Sequence, residues 1–161
     1  MAMVKRLQEY LDSQGVPYEV KLHREAYTSQ EIAAASHVSG KVMAKVVMVK
    51  RGGAFVMAVL PAACKVGMDR LEQVFGIPGV GIAREHEFAN LFPDCDTGAM
   101  PPFGNLYQLE VYVDEEIARH SHIVFQAGNH KEAVRMSYAD YERLAKPVVG
   151  EFAGRAALKP A

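Results

Sequence analysis

Two apolar runs separated by a short turn constrain the fold of this chain more than any other feature. The first run extends from Val42 to Val49 and the second from Ala54 to Leu60, with Arg51-Gly52-Gly53 between them. Two such runs flanking a glycine-containing turn are typical of a β-hairpin. Because both runs are apolar at almost every position, we expect both strands to lie in the interior of a sheet.

Signals on either side of the hairpin predict a mixture of helices and further strands. The chain has 161 residues, which fits one domain. The predicted fold class is α+β, a single domain with a mixed β-sheet and flanking helices, over residues 1–146. Residues 147–161 are expected to form a flexible C-terminal tail. Helices are predicted over 4–14, 28–35, 68–75, 85–91 and 137–144, and additional strands over 18–22, 79–83, 106–113, 123–127 and 131–136.

Composition excludes several classes of protein. The formal net charge of −1 argues against a protein that coats DNA, which is normally strongly basic. Cys64 and Cys95 form no CxxC pair, which argues against a zinc ribbon or a disulfide scaffold and fits a reducing cytoplasm. The sequence has no apolar run of about 18 residues and no signal-peptide core, so we expect a cytoplasmic protein without a membrane span.

Lys45 is the most informative single residue because it interrupts an apolar strand. Side chains alternate along a strand, so Lys45 shares a face with Met43, Val47 and Val49. An unpaired ammonium on a buried face is costly. Lys45 therefore extends to water at a strand end, pairs with a carboxylate, or faces an anionic ligand, and the strand context favours the ligand.

An irregular segment between Pro93 and Asn105 is the second candidate for function. It is long for a compact domain, and such loops are usually functional or mobile. Gly98 permits backbone geometry that is closed to other residues, and the pair Pro101-Pro102 stiffens the chain. A stiff loop of small residues can hold backbone N–H and C=O groups at fixed positions, although a plain surface connection has the same composition.

The remaining polar residues give weaker signals. His120 and His122 would share a strand face, but no third metal ligand is evident, and a solvated turn is the favoured interpretation. Asp94 and Asp96 lack any accompanying nucleotide motif, and the sequence contains neither a P-loop nor a GxSxG elbow. We therefore predict no metal and no cofactor. His130 follows Gly128-Asn129 at a predicted hairpin tip, from which it can reach a cleft.

Taken in order along the chain, these features resemble the YbaK family, the prolyl-tRNA synthetase editing-domain-like proteins. The resemblance covers residues 4–145 and rests on Lys45 in its strand, on Gly98-Ala99-Met100-Pro101-Pro102 as the G-x-x-x-P loop, and on the ending from Ala127-Gly128-Asn129-His130 through Ser137. Many members have a second glycine where this chain has Ala99, and a small hydroxyl residue where it has Pro101. Both departures concern the amino-acid pocket.

The resemblance implies hydrolysis of the ester that joins a mischarged amino acid to the terminal adenosine of tRNA. The implied partners are the 3′ end of aminoacyl-tRNA and an aminoacyl-tRNA synthetase. Two alternatives stay open: a non-catalytic module that binds tRNA ends or an aminoacylated ligand, and an interaction domain that serves a synthetase. The implied catalytic residues are Lys45, Gly98 and Ala99, and the implied substrate-binding residues are Met100, Pro102, Asp114 and His130.

Overall fold

The computed structural model describes residues 3–22 and 43–154. The helix predicted over 28–35 therefore lies outside the described residues. The α-helices are α1 (Lys5–Gln14), α2 (Met68–Phe75), α3 (Glu85–Phe88), α4 (Glu115–Ala118) and α5 (Tyr138–Ala145). The strands are β1 (Tyr18–Leu22), β2 (Ala44–Arg51), β3 (Ala54–Pro61), β4 (Lys65–Val66), β5 (Gly81–Ile82), β6 (Glu110–Asp114), β7 (His122–Gln126), β8 (Glu132–Ser137), β9 (Val148–Gly150) and β10 (Ala153–Gly154).

The larger sheet is mixed, as predicted, and has the strand order β5-β2-β3-β6-β9. β2 and β3 form the expected antiparallel hairpin, and both lie inside the sheet. β6 joins β3 in parallel, and β9 joins β6 in parallel. A second, antiparallel sheet has the order β1-β8-β7, and β4 pairs with β10. The α+β prediction is confirmed.

Two apolar cores lie on opposite faces of the larger sheet. The main core contains Leu7 of α1, Met48 of β2 and Phe125 of β7. The second core contains Val49 of β2 and Leu71 of α2. Successive residues of β2 thus enter different cores, as strand geometry requires. None of the helices in the described ranges is both long and apolar enough to cross a bilayer.

Local signals place several boundaries correctly. α1 ends at Gly15, which adopts a left-handed conformation with φ 67°. Ser137 begins α5, where its hydroxyl accepts a hydrogen bond from the amide of Asp140. The strand predicted over 106–113 begins only at Glu110, because residues 104–107 form a 3₁₀-helix.

The expectation of a flexible tail from residue 147 is corrected for residues 147–154. β9 and β10 belong to sheets, and Phe152 is fully buried in the second core. The carboxylate of Asp114 accepts hydrogen bonds from the amides of Phe152 and Ala153, at 2.9 and 2.8 Å. These contacts supply the packing and the backbone hydrogen bonds that a frayed tail lacks.

Candidate functional site

The loop that carries Gly98 is held against the β7–β8 turn by backbone hydrogen bonds. The amide of Asp96 donates to the carbonyl of Gly128 (2.8 Å), and the amide of Gly128 donates to the carbonyl of Ala99 (2.9 Å). Ala99 also donates its amide to the carbonyl of Asp96 at 3.0 Å. Ala99 is buried, and both of its backbone polar groups are occupied. Ala99 therefore closes the turn through its backbone hydrogen bonds.

Gly98 lies exposed at the tip of this turn and faces His130. Its φ of 88° is in the region that favours glycine. A Cβ built on Gly98 would lie 4.0 Å from Cε1 of His130. Within the described residues, the amide of Gly98 donates no hydrogen bond. The loop thus presents an open N–H group beside an imidazole.

The turn that carries His130 is fixed by the side chain of Asn129. Its Oδ1 accepts hydrogen bonds from the amides of Lys131 (2.8 Å) and Glu132 (2.9 Å), and its Nδ2 donates to Oε1 of Glu132 (3.1 Å). Asn129 is itself 5% exposed. Side-chain bonding of this kind to its own turn is what makes asparagine a frequent turn residue. His130 is consequently held in position, half-buried, beside Gly98.

Lys45 is half-buried on the face of β2 that looks into the second core, opposite Leu60 of β3. Burial lowers the pKa of Lys45, the neighbouring Cys64 opposes this effect, and the charge of Lys65 lowers the pKa further. None of the ion pairs formed within residues 3–22 and 43–154 includes Lys45. Its ammonium is therefore a poorly solvated cation that no described carboxylate neutralises.

A bridge between the five-stranded sheet and the three-stranded sheet shows where Lys45 lies relative to the loop that carries Gly98. Met43 pairs in parallel with Val124 of β7. Lys45 and Gln126 each follow this bridge by two residues in the same direction. β7 then continues directly into the turn that carries His130. Lys45, Gly98 and His130 therefore approach the same end of the junction between β2 and β7.

Asp114 ends β6, where its carboxylate bonds to the backbone, and its contact with substrate stays a prediction. The residue is fully buried, and besides the two amides of the C-terminal segment its carboxylate caps α4 through the amide of Glu116 (3.0 Å). The register of the sheet puts Leu60 between Lys45 and Asp114. The ion pairs formed among the described residues do not include one between Lys45 and Asp114.

Met100 and Pro102 lie beneath the loop and not at its surface. Met100 is 5% exposed and packs in the main core. The carbonyl of Pro102 accepts a hydrogen bond from the buried hydroxyl of Tyr141 at 2.8 Å. Both residues support the loop from the core side, and a direct contact with substrate stays a prediction for them.

The other end of the loop is anchored to α1 by polar contacts. Asp94 pairs with Arg6 at 3.2 Å and accepts a hydrogen bond from the hydroxyl of Tyr107 at 3.0 Å. Cys95 lies 3.2 Å from the same hydroxyl, and burial raises the pKa of its thiol to about 11. A thiol with this pKa is protonated at neutral pH and is a poor nucleophile.

The histidine pair considered from the sequence forms no recognisable metal site. Nδ1 of His122 lies 3.0 Å from the hydroxyl of Ser121. Nowhere in the described ranges do three His, Cys, Asp or Glu side chains gather closely enough to hold a metal ion.

Gln126 is a buried polar residue close to this site that the sequence interpretation did not single out. It is 4% exposed, and its Oε1 has no hydrogen-bond partner within residues 3–22 and 43–154. The signal that identified Lys45 was also available here, because Gln126 is the polar residue in the otherwise apolar run from Ile123 to Ala127.

Comparisons with known proteins identify the family to which this chain belongs. Residues 23–144 match the model of the aminoacyl-tRNA editing domain. The sequence matches none of the curated proteins.

Similar solved structures establish the fold. A hypothetical protein has a TM-score of 0.82 at 19% identity, covering 92% of this chain and 99% of its own. A protein described as a candidate trans-editing enzyme for prolyl-tRNA synthetase has a TM-score of 0.79 at 18% identity, covering 93% and 96%. A candidate signal transduction protein from Marinobacter aquaeolei VT8 has a TM-score of 0.71 at 14% identity, covering 92% of this chain and 30% of its own. Because the editing-domain model matches well over half of the sequence, the chain belongs to the aminoacyl-tRNA editing domain family.

Proposed function

We propose that this protein is a trans-editing aminoacyl-tRNA deacylase, which hydrolyses the ester between an amino acid and the terminal adenosine of a mischarged tRNA. The observation that carries the proposal is the ammonium of Lys45, which no carboxylate of the described residues neutralises. It lies at the same end of the β2–β7 junction as His130 and the open amide of Gly98. A cation and a fixed N–H donor in the same site suit a substrate that has a phosphate near a reactive carbonyl.

The roles follow from these positions. Lys45 binds the phosphate or ribose end of the substrate as a fixed charge. The amide of Gly98 donates to the carbonyl oxygen as negative charge develops there, and Ala99 holds the turn that aims this amide. His130 contacts the terminal adenosine. Positioning of a bound water against an ester by fixed groups can supply several kcal/mol, about 7 in favourable cases.

The chemistry requires no nucleophile from the protein. An aminoacyl ester is already activated, and the adjacent ribose hydroxyl can assist the departure of the leaving oxygen. The protonated thiol of Cys95 is anchored by Tyr107 on the α1 side of the loop and takes no part. Water attacks the carbonyl, and free amino acid and tRNA are the products.

A separate hydrolytic domain is physically reasonable because a synthetase pocket alone discriminates poorly between similar amino acids. One methylene is worth only about 1–3 kcal/mol to a synthetase pocket, so a second pocket that rejects the correct amino acid restores accuracy. A synthetase supplies the mischarged substrate, and we place the activity in the cytoplasm, where tRNA is charged.

The test is a deacylation screen with purified protein and tRNAs charged with alanine, serine, threonine or cysteine. Hydrolysis above the spontaneous rate that is lost in Lys45→Met and kept in Lys50→Met supports the proposal. Lys50 is the matched control, because it lies on the same strand in an ion pair with Glu87 at 2.9 Å. Tight tRNA binding without hydrolysis would replace the enzyme with a binding module.

A further inference from the structure

We infer that Gln126 binds the α-amino group of the aminoacyl moiety, so that the site recognises the amine of its substrate in addition to the ester. The inference rests on the deacylase function proposed above. It assigns a binding role to a residue outside the lysine, the glycine loop and the histidine on which that function depends.

The first observation is a buried acceptor without a donor. Gln126 is 4% exposed, and its Oε1 accepts no hydrogen bond from the residues that the structure describes. Buried side-chain oxygens are almost always hydrogen-bonded, because an unsatisfied one costs free energy. An unsatisfied buried group in a native structure needs an explanation, and a functional role in the site is one.

The second observation is the direction of the side chain. Phe125 enters the main core, so Gln126 projects from the opposite face of β7, on the same side as Val124. Val124 is bridged in parallel to Met43, and paired residues of parallel strands project to the same side. Lys45 is two residues beyond Met43 and projects to that side as well. The side chains of Gln126 and Lys45 therefore project to the same side of the β2–β7 junction.

The chemistry of the substrate fits a neutral acceptor at this place. An α-amino group has a pKa near 8, and the positive charge of Lys45 opposes its protonation. Whether the amine is charged or neutral, it has N–H groups to donate to Oε1 of Gln126. A carboxylate in the same position would instead pair with Lys45 and remove the charge available to the phosphate. A neutral amide accepts a hydrogen bond from the amine and leaves the charge of Lys45 available to the phosphate.

The test compares alanyl-tRNA with the same tRNA carrying propionate, which differs only by lacking the amino group. Each rate is divided by the spontaneous rate of the same ester. If serine is the preferred amino acid, seryl and 3-hydroxypropionyl esters replace the pair. We expect wild-type protein to favour the aminoacyl ester by roughly five- to a hundredfold, the range of one hydrogen bond to a neutral or charged donor.

Gln126→Leu should abolish this preference, so that the two esters are hydrolysed at similar relative rates. Gln126→Glu keeps an acceptor and should retain the preference, but it should hydrolyse both esters more slowly, because the new carboxylate pairs with Lys45. Gln73→Leu is the matched control, since Gln73 is exposed on α2 and the same exchange there should leave the preference intact. The melting temperature of Gln126→Leu should equal or exceed that of wild type, because the variant removes an unsatisfied buried oxygen.

The outcomes separate the two proposals. Suppose that wild-type protein hydrolyses the aminoacyl ester, but Gln126→Leu retains the preference or loses hydrolysis of both esters together with thermal stability. Gln126 is then structural, and the inference is overturned while the deacylase function stands. If wild-type protein hydrolyses no ester in the panel, the proposed function fails and the inference falls with it.

Discussion

Replacing Lys45 with methionine should separate the stability of this protein from its chemistry. Methionine keeps an unbranched apolar stem and removes only the ammonium. The pKa of Lys45 is lowered in the folded protein, chiefly by burial, so the folded state binds this proton less tightly than the unfolded state. The charge therefore destabilises the fold at pH 7, and this penalty disappears as the pH rises above the unfolded pKa of about 10.4.

The expected magnitudes have opposite signs for folding and for catalysis. Because the side chain retains some contact with water, Lys45→Met should gain no more than about 1 kcal/mol of unfolding free energy at pH 7, and less at pH 10. Loss of a charge-assisted contact with the substrate costs about 1.5–3 kcal/mol, which lowers kcat/KM roughly ten- to 150-fold.

Urea unfolding at both pH values and deacylation by the same preparations measure the two effects. Lys50→Met should behave in the opposite way, because Lys50 is half-buried and already paired with Glu87. It should lose up to about 1 kcal/mol of stability and keep its activity. A Lys45→Met variant that is less stable than wild type and hydrolyses substrate at the wild-type rate would refute the reasoning.

Three further predictions concern the glycine turns, Asp114 and Cys95. Gly128→Ala should lower the free energy of unfolding in urea by roughly 3 kcal/mol, because the new Cβ adds backbone strain at φ 98° to a contact of 2.9 Å with Cβ of Val4. Gly98→Ala should lower it by only about 1–2 kcal/mol and should mainly reduce the deacylation rate. Equal stability losses would contradict this division. Asp114→Ala should lose about 3 kcal/mol or more, because three backbone amides lose their acceptor, and proteolysis should then cut the C-terminal segment faster. Cys95 should resist iodoacetamide at pH 8 and react faster as the pH approaches 11, a rise that mass spectrometry can follow.

The sequence was informative where short-range rules decide the structure. The apolar hairpin of β2 and β3 could be placed inside a sheet because neither strand has a polar face. The C-terminal segment could not be placed in the same way. Its order depends on Phe152 filling the second core and on Asp114, 38 residues earlier, accepting its amide. Contacts over such distances leave no local pattern.

The candidate site was predictable in part for the same reason. Lys45 and Gly98 were identified by residue type and context, since an ammonium in an apolar strand and a glycine in a stiff loop are each unusual. Asp114 matched an equally reasonable pattern, an acid at the end of a strand, yet its carboxylate serves the fold. The sequence pattern shows that a polar group is present, but it does not show which other group bonds to it.

Bonding partners are therefore the better criterion for separating function from structure among polar residues in apolar strands. Asp114 has three amide donors, and removing any of them would weaken the fold. In the part of the chain that the structure describes, Lys45 has no carboxylate partner and Oε1 of Gln126 has no donor. A folded protein retains such unsatisfied groups at a cost to its stability. Since both groups face one side of the β2–β7 junction, a single substrate with an anionic end and an N–H donor would satisfy them together, and that combination is found in an aminoacyl ester of tRNA.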